Sequence, residues 1–166
     1  MKPVEEELRR RIHDRGPVTF VEFAELALYW PNGGYYSSTP WPVGPQGDFY
    51  TSPATHPVFG ACLAFQLQQM WSALGRPHPF SVVEAGAGNG LLCRDIVSYL
   101  HQVKSDLLGS LRYVLLDRSG GPGLEQELAP DLRRRVHFLR SAGMPLAPFT
   151  GCVLSNELLD AFSVHR

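Results

Sequence analysis

No stretch of the 166 residues is long and apolar enough to suggest a membrane span, and neither sign of charge predominates: 15 basic side chains stand against 16 acidic ones. A near-neutral chain lacks the clustered Lys and Arg that grip a phosphate backbone, so nucleic acid is not an expected partner. The runs Arg9-Arg10-Arg11 and Arg133-Arg134-Arg135 are short, in keeping with solvated helix faces or ends. Cysteine is scarce. Cys62, Cys93 and Cys152 stand far apart with no C-x-x-C spacing, which predicts buried free thiols in a reducing compartment. The six histidines show no ligand spacing either, so no metal site is expected. The start, Met1-Lys2-Pro3-Val4-Glu5-Glu6-Glu7, is too acidic and polar for a secretory signal. With the thiols, that predicts a cytoplasmic protein. Internal repeats and low-complexity tracts are also missing, and the length suits one domain able to bury a core without staples.

What the chain does have is a glycine-punctuated turn, Val82-Val83-Glu84-Ala85-Gly86-Ala87-Gly88-Asn89-Gly90. It reads as a short buried strand, a sharp turn, and a helix opening near Leu91. Alternate glycines let the backbone bend and approach a ligand with no Cβ in the way. The free N–H groups of the following helix would face the same crevice. Glu84 closes the strand with an acid that can meet a cationic or hydroxyl group. A second acid, Asp117, closes the next candidate strand, where its two oxygens could grip a ribose diol. The pair suggests a nucleoside pocket. The spacing is E-x-G-x-G-x-G and not the G-x-G-x-x-G of dinucleotide sites, so there is no cradle for a pyrophosphate. A nicotinamide site and a ligand-free tight turn are the rival readings.

Around the turn the chain divides into a helical segment with a cleft loop over 1–76 and alternating strands and helices over 77–166. Val4, Leu8 and Ile12 stripe one face of a helix that Gly16 stops. Thr19 and Glu22 stand in capping-box spacing, with Val18 and Phe23 as the flanking staple, and predict a helix to about Tyr29. From Tyr35 to Gly47, prolines, glycines and serines predict a loop, and its three aromatics make it an ordered one laid over a cleft. Ser52-Pro53 suits a helix start. The helix should run from Pro53 to about Leu74, with an apolar surface wide enough to be covered on more than one side, and with Met70 and Trp71 in the core. Gly75 ends it. Strands are expected over Ser81–Ala85, Arg112–Asp117, Arg135–Leu139 and Gly151–Ser155, with helices over Leu91–Lys104 and, interrupted by Pro130, over Leu124–Leu132. Strands alternating with helices imply parallel pairing and right-handed crossovers.

Three blocks stand in fixed order: Gly47-Asp48-Phe49-Tyr50-Thr51-Ser52-Pro53, the glycine turn, and Ser155-Asn156-Glu157-Leu158-Leu159-Asp160-Ala161. With Gly34-Tyr35-Tyr36 upstream, they resemble the MidA family of S-adenosylmethionine-dependent methyltransferases, which includes a mitochondrial protein arginine methyltransferase that assembles complex I. The resemblance runs from about Val18 to Arg166. It implies an α/β, Rossmann-like class I methyltransferase fold with a partial parallel sheet of four strands and an N-terminal helical segment. It implies S-adenosylmethionine as cofactor, held by Glu84, Gly86, Gly88, Gly90 and Asp117, with Asp48, Thr51 and Ser52 lining the pocket. Asn156 and Glu157 would face the methyl acceptor, a protein.

A guanidinium acceptor must lose a proton as its nitrogen is alkylated, so carboxylates should stand beside it. Glu157, Asp160 and Asp48 are the candidates. The chain departs from the family at Ala87 and Asn89, where proline and arginine are usual, at Ala54, where glutamate is usual, and at Arg118-Ser119-Gly120. Family members are also about twice as long, which would leave the fourth strand as an edge bearing Val153 and Leu154. A missing C-terminal half or a second copy of the chain would cover it. The departures also favour a rival function, an assembly factor that binds the cofactor without transferring methyl groups. An interaction module with no ligand is a further alternative.

Overall fold

The computed structural model describes residues 3–38, 52–118, 128–141 and 147–165. It divides into two compact units, one of residues 1–42 with 157–166 and one of residues 43–156.

In the first unit, α1 (Pro3–Arg15) has no fully buried residue, and Val4, Glu7, Leu8 and Arg11 on one face are half-buried. Gly16 stops it in the left-handed region, φ 85°, where glycine has no steric penalty. Next comes α2 (Phe20–Tyr29), opened by the expected capping box. The Thr19 hydroxyl accepts from the Glu22 N–H, and the Glu22 carboxylate accepts from the Thr19 N–H at 2.9 Å. Tyr35–Ser38 forms a short helix, α3, where the sequence suggested loop. Aromatic packing supports it, for Tyr36 stacks on Tyr29 at 5.4 Å and meets Tyr35 edge-on at 5.1 Å. The rest of the expected cleft loop lies outside the described residues.

The second unit holds the sheet. Ser52–Thr55 is a single turn, α4, and α5 covers Val58–Ala73, so the long helix expected from Pro53 is two pieces. Pro57 causes the break: it has no N–H to donate and pushes His56 out of helical geometry. Gly60, Ala64, Leu67 and Trp71 of α5 are buried and Met70 is half-buried. Val58 and Phe65 are exposed, so the helix is covered on one side and not on the two expected. Cys62 is exposed too. Of the three free cysteines only Cys93 is buried, since Cys62 falls on the outer face of α5 and Cys152 on an edge strand.

The strands are β1 (Phe80–Ala85), β2 (Leu111–Asp117), β3 (Val136–Arg140) and β4 (Gly151–Ser155), all parallel in the order β3-β2-β1-β4. α6 (Leu91–Gln102) joins β1 to the single turn α7 (Leu107–Ser110), which leads into β2. α8 (Pro130–Arg133) precedes β3, and here Pro130 opens a helix instead of interrupting one, because a first-turn residue needs no N–H donor. Every residue of β1 is buried. β4 is the outer strand beside β1 among the described residues, and Val153 on it is exposed.

One face of the sheet, through Phe80, Val82, Tyr113 and Leu115, packs on α5 and α6 residues including Leu67, Trp71, Cys93, Ile96 and Val97. Two glycines set how closely these layers meet. A Cβ at Gly60 would stand 2.6 Å from the Asp95 Cβ, and one at Gly151 only 1.8 Å from the Ser81 carbonyl oxygen.

Candidate active site

The glycine turn joins the carboxyl end of β1 to α6. Strands wound outward in both directions from a central pair leave a crevice at that end, where open α/β sheets take their ligands. Gly86, Gly88 and Gly90 all adopt the left-handed region, at φ 71°, 55° and 75°. An L residue there is strained by roughly 1–2 kcal/mol, so three such positions in a row explain why the spacing is glycine at every second residue. The turn is tied down at one side. The Gly86 and Ala87 N–H groups both donate to the Leu116 carbonyl, at 2.8 and 3.3 Å, and the Gly88 N–H donates to Asp117 Oδ2 at 2.9 Å. Asn89 Oδ1 accepts from the Leu91 N–H at 3.2 Å and starts α6. On its other side Gly88 is open, with nothing among the described residues within 4 Å of where a Cβ would stand.

The two acids differ. Asp117 is half-buried at the end of β2, where it clamps the turn. Glu84 keeps only 4% of its surface and accepts one hydrogen bond, from the Tyr113 hydroxyl to Oε2 at 2.7 Å. Burial raises its carboxyl to about 7, the Tyr113 bond opposes the rise, and the charge of Asp117 adds to it. Tyr113 and Cys93, both buried with it, are pushed up by the same loss of solvent.

Of the other residues singled out in the sequence, Asp48 and Thr51 lie outside the described residues, and Ser52 begins α4. Asn156 is half-buried just beyond β4. Glu157 and Asp160 belong to the first unit, and both are exposed. Glu157 stands in the left-handed region at φ 49°, an uncommon conformation for a side-chain-bearing residue. Asp160, together with burial as the larger cause, holds the Tyr36 phenol above its ordinary pKa. Nearby in the same unit, the Tyr29 hydroxyl donates to the Ala161 carbonyl and the Ser163 hydroxyl to Glu25 Oε2.

Two groups were missed in the sequence. Tyr113 read only as a strand residue, yet its register opposite Val82 puts it on the same face as Glu84, two positions along, within reach of a phenol. Asp95 on α6 is buried against Gly60; its Oδ1 accepts from Arg94 at 3.0 and 3.1 Å, while Oδ2 has no partner. An acid inside an apolar helix stripe was the available signal. Among the described residues there is no cluster of His, Cys, Asp and Glu fit to hold a metal ion, and no helix is long and apolar enough to cross a membrane.

A four-stranded parallel sheet with a left-handed glycine turn between two acids defines a Rossmann-like methyltransferase fold. The chain belongs to the family described as "Putative S-adenosyl-L-methionine-dependent methyltransferase", whose profile matches residues 62–166. Among named relatives it is similar to the Drosophila melanogaster "Protein arginine methyltransferase NDUFAF7 homolog, mitochondrial", 36% identical over 65% of this chain and 24% of that protein. The human "Protein arginine methyltransferase NDUFAF7, mitochondrial" is 31% identical over 87% of this chain and 32% of its own length. The chain thus spans about a quarter to a third of these relatives. A crystal structure of a COG1565 superfamily member from Burkholderia thailandensis bound to S-adenosyl-homocysteine superposes with a TM-score of 0.77. It is 32% identical, across 96% of this chain and 42% of that one. The expectation of a cytoplasmic protein does not stand, because the relatives are named as mitochondrial. Nothing in composition could have shown this.

Proposed function

We propose that this chain binds S-adenosylmethionine at the glycine turn and forms the cofactor-holding part of a mitochondrial protein arginine N-methyltransferase. The observation that carries the reading is the turn itself: three left-handed glycines between Glu84 and Asp117, with open space beside Gly88. Its donor set fits a cationic nucleoside, offering carboxylates for an ammonium and for hydroxyls and close backbone without side chains. The Burkholderia relative bound to S-adenosyl-homocysteine supports the ligand, and the names of the fly and human relatives support the acceptor and the compartment.

When bound, the cofactor supplies an electrophilic methyl group. The chain's own residues position and deprotonate. Glu84 would meet the cationic end and Asp117 would accept from hydroxyls, while Asp117, through Gly88, keeps the turn in shape. Gly86 and Gly90 would let the backbone approach the cofactor without a side chain in the way. Asn156 orients the acceptor. An arginine acceptor would need a carboxylate to align its nitrogen and take its proton as it is alkylated, and Glu157 and Asp160, both exposed, are the candidates among the described residues. An in-line displacement gains most from such placement, since holding reactants in register can be worth roughly 7–11 kcal/mol.

Calorimetric titration with S-adenosylmethionine and its demethylated product tests the site. Gly88→Val should abolish binding at a stability cost of about 1–2 kcal/mol, because the side chain enters the open space from a strained backbone. Equal binding by both proteins would overturn the site. Incubation with methyl-labelled cofactor and an arginine-bearing protein then tests transfer. Label appearing on arginine supports the transferase, and binding without label makes the chain a cofactor-binding assembly factor instead.

A further inference from the structure

The carboxyl of Glu84 is unusual in having one oxygen engaged and one left over. Oε2 accepts from Tyr113 at 2.7 Å, the hydrogen bond that this carboxyl makes among the described residues, and Oε1 takes no part in it. Among the described residues the fully buried side-chain oxygen without a partner is Asp95 Oδ2 and not Glu84 Oε1, so Oε1 is the oxygen left open to a donor that arrives from outside the chain. Tyr113 is fully buried in the core and rooted in β2 by parallel pairing on both sides, so its hydroxyl is a fixed point. With Tyr113 in place, Glu84 is held in one orientation at the mouth of the turn.

We propose that Tyr113 is a positioning residue for the cofactor: its hydroxyl fixes Glu84 Oε2 so that Oε1 receives the ammonium of the cofactor's amino-acid end. The proposal rests on the reading of the glycine turn as the S-adenosylmethionine site. Its consequence is that binding is linked to a proton. The groups facing this carboxyl are Tyr113 and Asp117 from β2 and Cys93 from α6, with Cys152 of β4 beyond Tyr113. Both thiols and the phenol are raised by burial and stay neutral, and Asp117 adds only negative charge. No protein cation neutralises Glu84 among these groups, so the ammonium does so, and Glu84 gives its proton to solvent as the cofactor enters. Tyr113, by bonding to the charged form, makes that release easier at neutral pH.

The test is the affinity for S-adenosyl-homocysteine, measured by calorimetry from pH 6 to 8.5, for the wild type, Tyr113→Phe and Glu84→Gln. In the wild type affinity should fall as pH drops through about 7, by up to about tenfold per pH unit below it. Tyr113→Phe should move that midpoint up by about one pH unit, leaving binding about fivefold weaker at pH 7 and closer to wild type at pH 8.5. Glu84→Gln should bind weakly with no pH dependence in this range. Melting temperatures separate a structural role, which would lower stability in Tyr113→Phe while leaving the binding midpoint unmoved and so overturn the proposal. A flat wild-type profile overturns it whether or not the variants fold. Failure of the wild type to bind at any pH removes the underlying site reading instead.

Discussion

The end of β1 and the surface of α1 each carry a glutamate with close hydrogen-bond donors, and the two are driven in opposite directions. Glu84 is nearly out of water; its single phenolic donor cannot offset the lost solvation, and the carboxyl rises to about 7. Glu7 is half-buried on α1, under the arginines that cover it. Arg10 grips both its oxygens at 2.8 and 2.9 Å and Arg11 adds a third bond at 2.7 Å, lowering it to about 2. The donors at Glu7 are cations and solvent remains close. At Glu84 neither holds. A carboxylate near neutrality therefore marks a place where the fold has withheld its own counter-charge, whereas a depressed one marks ordinary helix-surface pairing.

Three changes probe this contrast, beginning with the largest. Gly151→Val should destroy the withholding environment, since any side chain there would overlap the Ser81 carbonyl and push β4 away from β1. Denaturant unfolding should show a loss on the order of 4 kcal/mol or no folded protein at all. Next comes pH. Between pH 4.5 and 7 the folded chain keeps a proton on Glu84 that the unfolded chain has released, so stability should fall as pH rises through that window. The drop is about 3 kcal/mol, and Glu84→Gln should erase it from urea midpoints taken at pH 5 and 8. Glu7 has the opposite sign: its contribution is complete above its ordinary 4.5 and is lost as pH falls toward 2. Because Arg10 is exposed the pair is worth little, and Arg10→Ala should change the melting temperature at neutral pH by an amount close to the limit of detection. A large Arg10 effect, or no slope from Glu84, would undo the comparison.

Much of the fold was legible because its signals are local. Thr19 and Glu22 announced α2, β4 falls on the expected Gly151–Ser155, and the spacing of Gly86, Gly88 and Gly90 gave the turn before any backbone angle was known. The misses also have local causes, in prolines weighed wrongly: Pro57 breaks a helix that apolar periodicity ran straight through, and Pro130 starts one. What sequence could not show was pairing across strands. That Tyr113 reaches Glu84 depends on β1 and β2 aligning Val82 with Tyr113, a register decided by the whole sheet. The two acids were visible at the ends of their strands, but not that one would be buried and the other spent on clamping the turn.

The strand order carries a consequence for how the chain is made. β1 lies between β2 and β4, yet β2 follows it across α6 and α7 whereas β4 is synthesised only after β3 is finished. A nascent chain therefore emerges with its central strand zipped on one flank and raw on the other, until Ser155 clears the ribosome. Closing that long loop is the slow, late event of assembly, and it is the interval in which misfolding competes best.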